Sequence, residues 1–302
     1  MAGDLDGTYI GTAPDANYIL IRTENAPSES VIEEYYWLQA AEYVDSIGVD
    51  MINSSLGYTV FDDTLENHTY EQLNGDYTLI TKAADWAAQT GILVVNSAGN
   101  SGASGWYYIG APADGDSVFS IGAVDIDGIS APFSSHGPTF DGRVKPNVVG
   151  LGAGVFVASG QAEYHPTNGT SFSGPVICGM TASLWQYLKT VEPGISNMDV
   201  IERVEESASL FPNYNEDYGY GIPSYQSIVP DITPYVFPDD EIGIYPNPFQ
   251  SNLVIHYNFK PKDRIEIISS TGQILNTQII SGASISTYVN TEQLPNGIYF
   301  IA

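Results

Sequence analysis

The chain has 302 residues, which is long enough to bury a large core and to hold more than one domain. Its 36 acidic residues outnumber its 9 lysines and arginines, and the formal net charge is -27. That balance excludes ordinary nucleic-acid binding, which needs basic surface against the phosphates. The 21 tyrosines exclude a disordered acidic tail, and no apolar run approaches the roughly 20 residues of a membrane span.

The first part of the chain alternates predicted strands and helices. A turn over residues 11–16 precedes a predicted strand at Asn17–Thr23, which is rich in β-forming residues. Apolar and aromatic residues recur at helical spacing within Ser30–Ile47, and Val49–Asn53 is predicted to be a short buried strand. This order of elements predicts right-handed crossovers and a parallel sheet, and therefore an α/β fold.

The next part continues the same alternation. Thr59–Asp76 is predicted to be a polar surface insertion, in which His68 faces solvent. A helix is predicted at Leu79–Thr90 and a buried strand at Ile92–Val95. The remaining predicted elements of this part are a strand at Ser117–Val124 and a helix at Asn197–Ser207.

A turn followed by an apolar helical run surrounds Ser171. Asn168-Gly169 favours a turn, and Pro175 is tolerated in the first turn of a helix, which predicts Ser171 at or just before a helix N-terminus. Helix N-terminal N–H groups stabilise developing negative charge, so this position suits a nucleophilic hydroxyl. An N-cap serine without catalytic function is the structural alternative that the local pattern leaves open.

Three stretches resemble the subtilisin-like serine proteases, in the order found in that family. Gly169-Thr170-Ser171-Phe172-Ser173-Gly174-Pro175 is similar to the family's nucleophile motif, Asn96–Gly102 to its oxyanion segment, and Asn53–Tyr58 to its substrate-binding segment. The resemblance implies a parallel-sheet, three-layer subtilisin-like domain over residues 1–228, incomplete at its N-terminus. It also implies a secreted serine endopeptidase that hydrolyses peptide bonds.

The resemblance carries roles onto individual residues. Ser171 is implied to be the nucleophile and Asn100 the side-chain donor of the oxyanion hole, although Asn100 is alternatively a turn residue after a strand. Two segments are implied to bind an extended substrate by strand addition, with Tyr58 and Ser97 shaping the pocket. Their residues are Ser55, Leu56 and Gly57, and Ser97, Ala98 and Gly99.

The family's Asp and His motifs, Asp-[Thr/Ser]-Gly and His-Gly-Thr, do not occur in this sequence. No histidine precedes Gly-Thr, and no early aspartate follows an apolar strand; the residues concerned are His68, His136, His165 and His256, and Asp4 and Asp6. The resemblance therefore predicts a fragment, with the triad Asp and His and a signal peptide upstream of Met1. Met1-Ala2-Gly3 is then the end of the helix that carries the His.

Such a fragment is expected to be inactive toward peptides, because a serine hydroxyl needs a base. A pseudoprotease is the alternative, acting as a secreted peptide-binding or adhesion protein.

The C-terminal part of the sequence has a different pattern of apolar and polar residues. A Pro-rich acidic linker over residues 229–243 precedes short alternating segments, which predict a small antiparallel β-sandwich over residues 244–302 with turns at Gly272 and Gly282. The predicted strands are Leu253–Phe259, Arg264–Ser269, Ile274–Ile280, Ser284–Val289 and Ile298–Ile301.

Three motifs in this part, at residues 244–249, 270–273 and 294–299, resemble the C-terminal sorting domain of the type IX secretion system of Bacteroidota. The resemblance implies a secreted or cell-surface protein whose partners are the secretion machinery and protein or peptide substrates. The final strand of the module is expected to be missing. A generic carbohydrate-binding sandwich is the alternative.

No cofactor and no metal-binding residue is predicted. The acidity is compatible with structural calcium, although no cluster of acidic residues has the spacing of a ligand set. Cys178 is the single cysteine, which excludes an internal disulfide, and it is expected to pack within the helix that follows Ser171.

Overall fold

The computed structural model describes residues 1–5, 9–158, 164–229, 242–245, 252–270, 272–280, 284–291, 293–295, 297 and 299–301. The chain divides into two compact units. The first is Met1–Ala2 with Gly11–Pro230, and the second is Gly3–Ile10 with Asp231–Ala302. Each unit has its own hydrophobic core.

The elements are numbered along the chain. They are strands β1 (Asp4–Leu5) and β2 (Tyr9–Ile10), helix α1 (Ile32–Ser46), strand β3 (Met51–Ser54), helix α2 (Leu79–Gln89), strands β4 (Leu93–Ser97), β5 (Val118–Val124), β6 (Val148–Leu151), β7 (Ala153–Ala158) and β8 (Tyr164–Asn168), helices α3 (Thr170–Val191), α4 (Asn197–Glu206) and α5 (Tyr225–Ile228), and strands β9 (Gly243–Tyr245), β10 (Asn252–Phe259), β11 (Arg264–Ser269), β12 (Ile274–Ile279), β13 (Ser284–Asn290) and β14 (Tyr299–Ile301). None of the helices described is long and apolar enough to cross a membrane.

A parallel four-stranded sheet forms the centre of the first unit, in the order β3-β4-β5-β6. Alternate residues of β4 pack into the two hydrophobic clusters on opposite faces of this sheet. Val94 packs with residues of α1 and α2, whereas Leu93 and Val95 pack with residues of α3 and α4. Because neighbouring side chains of a strand point to opposite faces, the helices cover both faces of the sheet. The predicted three-layer α/β architecture is confirmed.

The helices predicted at Ser30–Ile47, Leu79–Thr90 and Asn197–Ser207 are confirmed to within two residues at each end. Each has a local signal for its ends. Gly91 follows α2 with a φ of 104°, a left-handed conformation that glycine adopts without strain. Ser196 begins α4 with a capping box, in which its hydroxyl accepts from the Asp199 N–H at 3.1 Å.

The predicted strand at Asn17–Thr23 is wrong. The segment has no regular secondary structure and pairs with no strand in the part of the chain that the structure describes. Most of its side chains are exposed to solvent, and Leu20 is 94% exposed. A strand needs a neighbour for its backbone hydrogen bonds, so β-propensity alone did not suffice here.

Met1-Ala2-Gly3 is not helical, contrary to the expectation from the family register. Three residues cannot close a helical turn by themselves, because each bond joins residues four apart. The Met1 carbonyl instead accepts from the Ala13 N–H at 3.3 Å, and the Met1 side chain packs against the core that contains α3.

The segment predicted as a polar insertion, Thr59–Asp76, is partly a core segment. Phe61 is 3% exposed and Leu73 fully buried. His68 does not face solvent as predicted: its ring lies 2.6 Å from the Glu34 carboxylate and packs edge-on against Phe61. Tertiary contacts with α1, which the sequence pattern did not reveal, make this histidine part of the packing.

The second unit contains two three-stranded antiparallel sheets, in the orders β13-β10-β9 and β12-β11-β14. Their shared core includes Leu253, Ile255, Ile267 and Val289. The predicted small antiparallel module is confirmed, and the predicted strands are in place among the described residues, which do not include Ile298. Gly272 has a φ of 85° in its turn, whereas Gly282 lies outside the described residues.

Candidate active site

Ser171 is the second residue of α3, as its motif predicts. Gly169 precedes the helix with a φ of 151°, and the Phe172 N–H donates to its carbonyl at 3.0 Å. A Cβ at position 169 would lie 3.3 Å from the Phe172 ring, so both the backbone conformation and the space favour glycine. The turn therefore presents Ser171 at the positive end of the helix dipole.

Pro175 lies inside α3 rather than in its first turn, where the sequence had placed it. A proline has no N–H, so the carbonyl four residues earlier, that of Ser171, lacks its helical partner. The Ser55 hydroxyl donates to this carbonyl at 3.3 Å. Pro175 thus leaves an acceptor that joins the helix to the segment after β3.

Asn100 lies at the same helix end. Its Oδ1 accepts from the Thr170 N–H at 2.9 Å and from the Thr170 hydroxyl at 3.1 Å. The Gly99 N–H in turn donates to the Thr170 hydroxyl at 3.2 Å. Because a backbone N–H can only donate, these bonds fix the oxygen of the amide toward Thr170. The amide nitrogen has no hydrogen-bond partner within the described chain, and Asn100 is exposed.

The backbone N–H of Ser171 is a second such donor. It makes no hydrogen bond in the described parts of the chain, whereas the neighbouring N–H groups of Thr170 and Phe172 are both occupied. A side-chain N–H and a backbone N–H are therefore available at one helix N-terminus. This arrangement suits an oxygen on which negative charge develops.

The segment after β3 keeps main-chain groups available. The N–H and C=O groups of Ser55 and Gly57 make no hydrogen bond to any residue that the structure describes, whereas the Leu56 carbonyl accepts from the Asn96 side chain at 3.0 Å. A Cβ at Gly57 would meet nothing within 4 Å. An extended peptide can therefore approach this backbone and pair with it.

Ser97, Ala98 and Gly99 support the site from beneath, with Ser97 and Ala98 buried and Gly99 half-buried. The Ser97 hydroxyl donates to the Thr170 carbonyl at 2.8 Å. The N–H of Ala98 bonds to Ile121, and the carbonyl of Gly99 accepts from Ser135. Their main-chain groups are thus largely occupied by the fold. Direct contact between a substrate and these three residues stays a prediction.

Tyr58 does not shape a pocket as predicted. It is 1% exposed, and its hydroxyl donates to Glu24 at 2.5 Å. Burial, followed by the hydrogen bond and charge of Glu24, raises the pKa of the Tyr58 hydroxyl. Its backbone pairs with Ala111. The ring therefore belongs to the core, which its place beside the substrate segment did not indicate.

No described histidine contacts the Ser171 hydroxyl. His68 pairs with Glu34, and the Nδ1 atom of His136 lies 2.7 Å from Asp217. His165 is exposed on β8, and the side chain of His256 lies outside the described residues. The described site thus contains a hydroxyl and two donors without a base beside them.

Three carboxylates come together that the sequence did not single out: Glu24, Glu29 and Glu33, with oxygens within 4.8 Å of one another. Burial, then the charges of its acidic neighbours, raises the pKa of Glu29. The Glu33 oxygens accept from the N–H groups of Asn25 and Ser30 at 2.6 and 3.1 Å. Calcium would compete with these hydrogen bonds, so a calcium site stays a prediction.

Two family models match the chain. The model described as "Subtilase family" matches residues 1–221, and that described as "Secretion system C-terminal sorting domain" matches residues 243–302.

Curated relatives cover most of the first unit. Subtilisin DY of Bacillus licheniformis is 30% identical over 220 residues, which are 72% of this chain and 69% of that protein. Serine protease AprX of Bacillus subtilis (strain 168) is 26% identical over 251 residues, which are 74% of this chain and 54% of that protein. The chain thus spans about half the length of AprX.

Solved structures share the fold. The PatG macrocyclase in complex with peptide has a TM-score of 0.61 at 17% identity, covering 76% of this chain and 66% of that chain. The prenylagaramide maturation protease PagA has a TM-score of 0.53 at 20% identity, covering 65% and 66%.

Proposed function

From the premise that this chain belongs to the subtilase family of serine peptidases, we propose that Ser171 is the nucleophile of a secreted endopeptidase site. Its hydroxyl oxygen forms a bond to the substrate's carbonyl carbon, and the carbon–nitrogen bond of the peptide then breaks. A base accepts the serine proton and returns it to the leaving amine.

The pair of available donors carries this proposal. The Asn100 amide nitrogen and the Ser171 N–H are oriented before any substrate arrives, because Thr170 holds the amide oxygen and α3 holds the backbone. Donors that need no reorganisation stabilise the oxyanion of the tetrahedral intermediate well. Ser55 and Gly57 supply main-chain groups for the substrate strand.

The triad is the finer part of the proposal. We propose that catalysis uses an Asp-His-Ser triad whose Asp and His are not among these 302 residues. The chain by itself then hydrolyses peptides at a negligible rate, because nothing accepts the serine proton.

Chemical rescue tests this proposal. The purified 302-residue chain is given an activated ester, with and without added imidazole, beside its Ser171→Ala variant. Imidazole is the side-chain group of histidine, and it is expected to accelerate ester hydrolysis more strongly for the wild-type chain than for the variant. The difference between the two proteins removes the reaction of imidazole with the ester in solution.

Each outcome has a separate meaning. Peptide hydrolysis by the chain alone that disappears in Ser171→Ala would contradict the missing base and support the nucleophile. Equal ester hydrolysis by both proteins at every imidazole concentration would contradict the nucleophile itself.

A pseudoprotease is the second candidate, and the lack of any described histidine beside Ser171 favours it. Such a protein binds peptides in the cleft without cutting them. Peptide binding that is unchanged by Ser171→Ala, together with no imidazole effect, would make this the better account.

The C-terminal unit determines where the protein acts. Residues 243–302 are a secretion-system sorting domain, so the chain is a secreted or cell-surface protein. We propose that this domain contacts the type IX secretion machinery and that protein or peptide substrates occupy the cleft. No cofactor is needed for this chemistry, and structural calcium is compatible with it.

A further inference from the structure

An aromatic ladder extends from the loop that carries Asn100. We define the ladder by its rings in order of contact: Phe140, Tyr70, Tyr108, Tyr107 and His136. Two of these contacts are stacked, with ring centroids 3.8 Å apart for Tyr70 and Tyr108 and 4.2 Å apart for Tyr107 and His136. Phe140 is 50% exposed and Tyr107 38% exposed, so part of the ladder faces solvent.

The ladder touches the proposed oxyanion loop directly. The Tyr107 N–H donates to the carbonyl of Ser101, the residue after Asn100, at 3.2 Å. A Cβ at Gly102 would lie 2.8 Å from the Nε2 atom of His136, so the His136 ring packs against the loop that carries Asn100. The rings of Tyr107 and Tyr108 therefore lie on the same loop, after β4, as the proposed oxyanion donor Asn100.

Tyr107 is held in an unfavourable backbone conformation. Its φ is 68°, in the left-handed region that bulky residues rarely occupy. Asn or Gly would adopt this conformation at lower cost. Strain of this kind persists where surrounding contacts impose it, and it clusters at functional sites, which makes Tyr107 a candidate functional residue.

Negative charge surrounds the ladder. The Asp217 carboxylate lies 2.7 Å from the Nδ1 atom of His136, and the Gly137 N–H donates to the Glu216 carbonyl at 3.0 Å, so both acidic residues lie at the His136 end of the ladder. After burial, their charges raise the pKa of Tyr107. Asp217 is paired with His136, whereas the Glu216 carboxylate has no ion pair or hydrogen bond within the described residues. The nearby cation, Arg143, is already held by Asp116 and Asp141 at 2.8 and 2.7 Å.

We infer that the aromatic ladder and Glu216 form a subsite for one basic side chain, Lys or Arg, of a peptide in the cleft. The inference deepens the proposed function and rests on it, because it names a class of substrate.

The chemistry selects a cation over other groups. The face of an aromatic ring carries negative potential, which attracts ammonium and guanidinium groups within about 6 Å. An unpaired carboxylate beside the rings adds charge attraction, whereas it would disfavour an acidic side chain. The net charge of -27 further steers basic peptides toward the protein.

Binding of short peptides to the full chain tests the inference. The Ser171→Ala variant is used, so that no probe is cut. A single Lys is moved along an otherwise neutral fluorescein-labelled peptide of Ala, Ser and Gly, and norleucine replaces Lys in the matched controls. At one position the Lys peptide is expected to bind about 5-fold more tightly than its norleucine counterpart, with Arg similar.

Variants separate the ring from the backbone. Tyr107→Asn, which suits the left-handed conformation, is expected to abolish the Lys preference while keeping the melting temperature. Tyr107→Phe retains the ring and is expected to retain the preference. Glu216→Gln is expected to reduce it, whereas Glu42→Gln, which removes an equal charge from an exposed position on α1, leaves it unchanged.

The outcomes are distinguishable from those of the proposed function. Equal binding of Lys and norleucine peptides at every position overturns the inference, while the ester assay on Ser171 is unaffected. A Lys preference that survives Tyr107→Asn and Glu216→Gln also overturns it, because the cation would then bind elsewhere.

Discussion

Thr170 decides which end of the Asn100 amide faces the cleft. Its N–H and hydroxyl both bond the amide oxygen, so the nitrogen is the end that remains available. The residue before the proposed nucleophile thus orients the proposed oxyanion donor. This link joins two motifs that lie far apart in the sequence, and neither motif reveals it alone.

Substitution of the donor and of its support should have graded effects. Asn100→Ala is expected to lower the Ser171-dependent ester hydrolysis rate by about 10²–10³, the typical cost of removing one oxyanion donor, a figure measured in subtilisin. Thr170→Val keeps the N–H and removes one of two bonds, so it should cost less. Equal rates for wild type and Asn100→Ala, with imidazole present, would contradict the role.

Lys145 gives the stability of the protein a pH dependence. Burial lowers the pKa of its ammonium from 10.5 to about 8, although the group donates to the Val118 carbonyl at 2.5 Å. Between pH 8 and 10.5 the unfolded chain therefore holds more protons at this site than the folded chain. The contribution of Lys145 to the free energy of unfolding should rise with pH across that window.

Urea unfolding at several pH values measures this effect. In Lys145→Met the rise between pH 8 and 10.5 should be smaller than in wild type, because the titrating group is gone. Lys189→Met, at an exposed position, should keep the wild-type slope. Parallel profiles for wild type and Lys145→Met would contradict the assignment.

At the scale of elements, Glu34 joins three parts of the first unit. It lies on α1, its carboxylate accepts from the Ile80 N–H in the first turn of α2 at 3.0 Å, and it pairs with His68. The side chains of Glu34 and His68 are 1% and 9% exposed. A carboxylate at a helix N-terminus also interacts favourably with the helix dipole.

Removal of one partner should therefore leave the other buried and uncompensated. Glu34→Ala leaves the Ile80 N–H and the His68 ring without this partner, and it is expected to lower the free energy of unfolding by about 1–3 kcal/mol for each buried group left without a hydrogen bond. Glu42→Ala, on the exposed side of the same helix, is the matched control and should change it little. Denaturant unfolding of both variants provides the comparison, and similar values for the two would contradict the role of the pair.

The elements that the sequence predicted correctly are those with local signals. Helix α2 has its apolar spacing and Gly91 within a few residues, and the motif around Ser171 likewise lies in one stretch. The strand predicted at Asn17–Thr23 failed because pairing depends on another part of the chain. Tyr58 and His68 failed for the same reason, since Glu24 and Glu34 determine their surroundings.

At the scale of the whole molecule, the excess of acidic residues acts against the compact state. With 36 acidic and 9 basic residues, most surface charges repel one another. Added salt shortens the screening length from about 30 Å at 0.01 M to about 8 Å at 0.15 M. The melting temperature should therefore rise over this range.

Scanning calorimetry at several sodium chloride concentrations checks this expectation. Potassium chloride should give the same curve, because screening depends on ionic strength rather than on the ion. A melting temperature that is independent of salt, or that falls, would show that attractive pairs such as Arg143 with Asp141 outweigh the repulsion.

The buried position of Cys178 allows its alkylation to report on local opening of α3. It is the single thiol of the protein, it is 4% exposed, and burial raises its pKa to about 12. Alkylating reagents react with thiolates, so modification should require that α3 first separates from the core. The alkylation rate of Cys178 in the wild-type protein then measures how often α3, the helix that carries Ser171, separates from the core. No engineered label is needed.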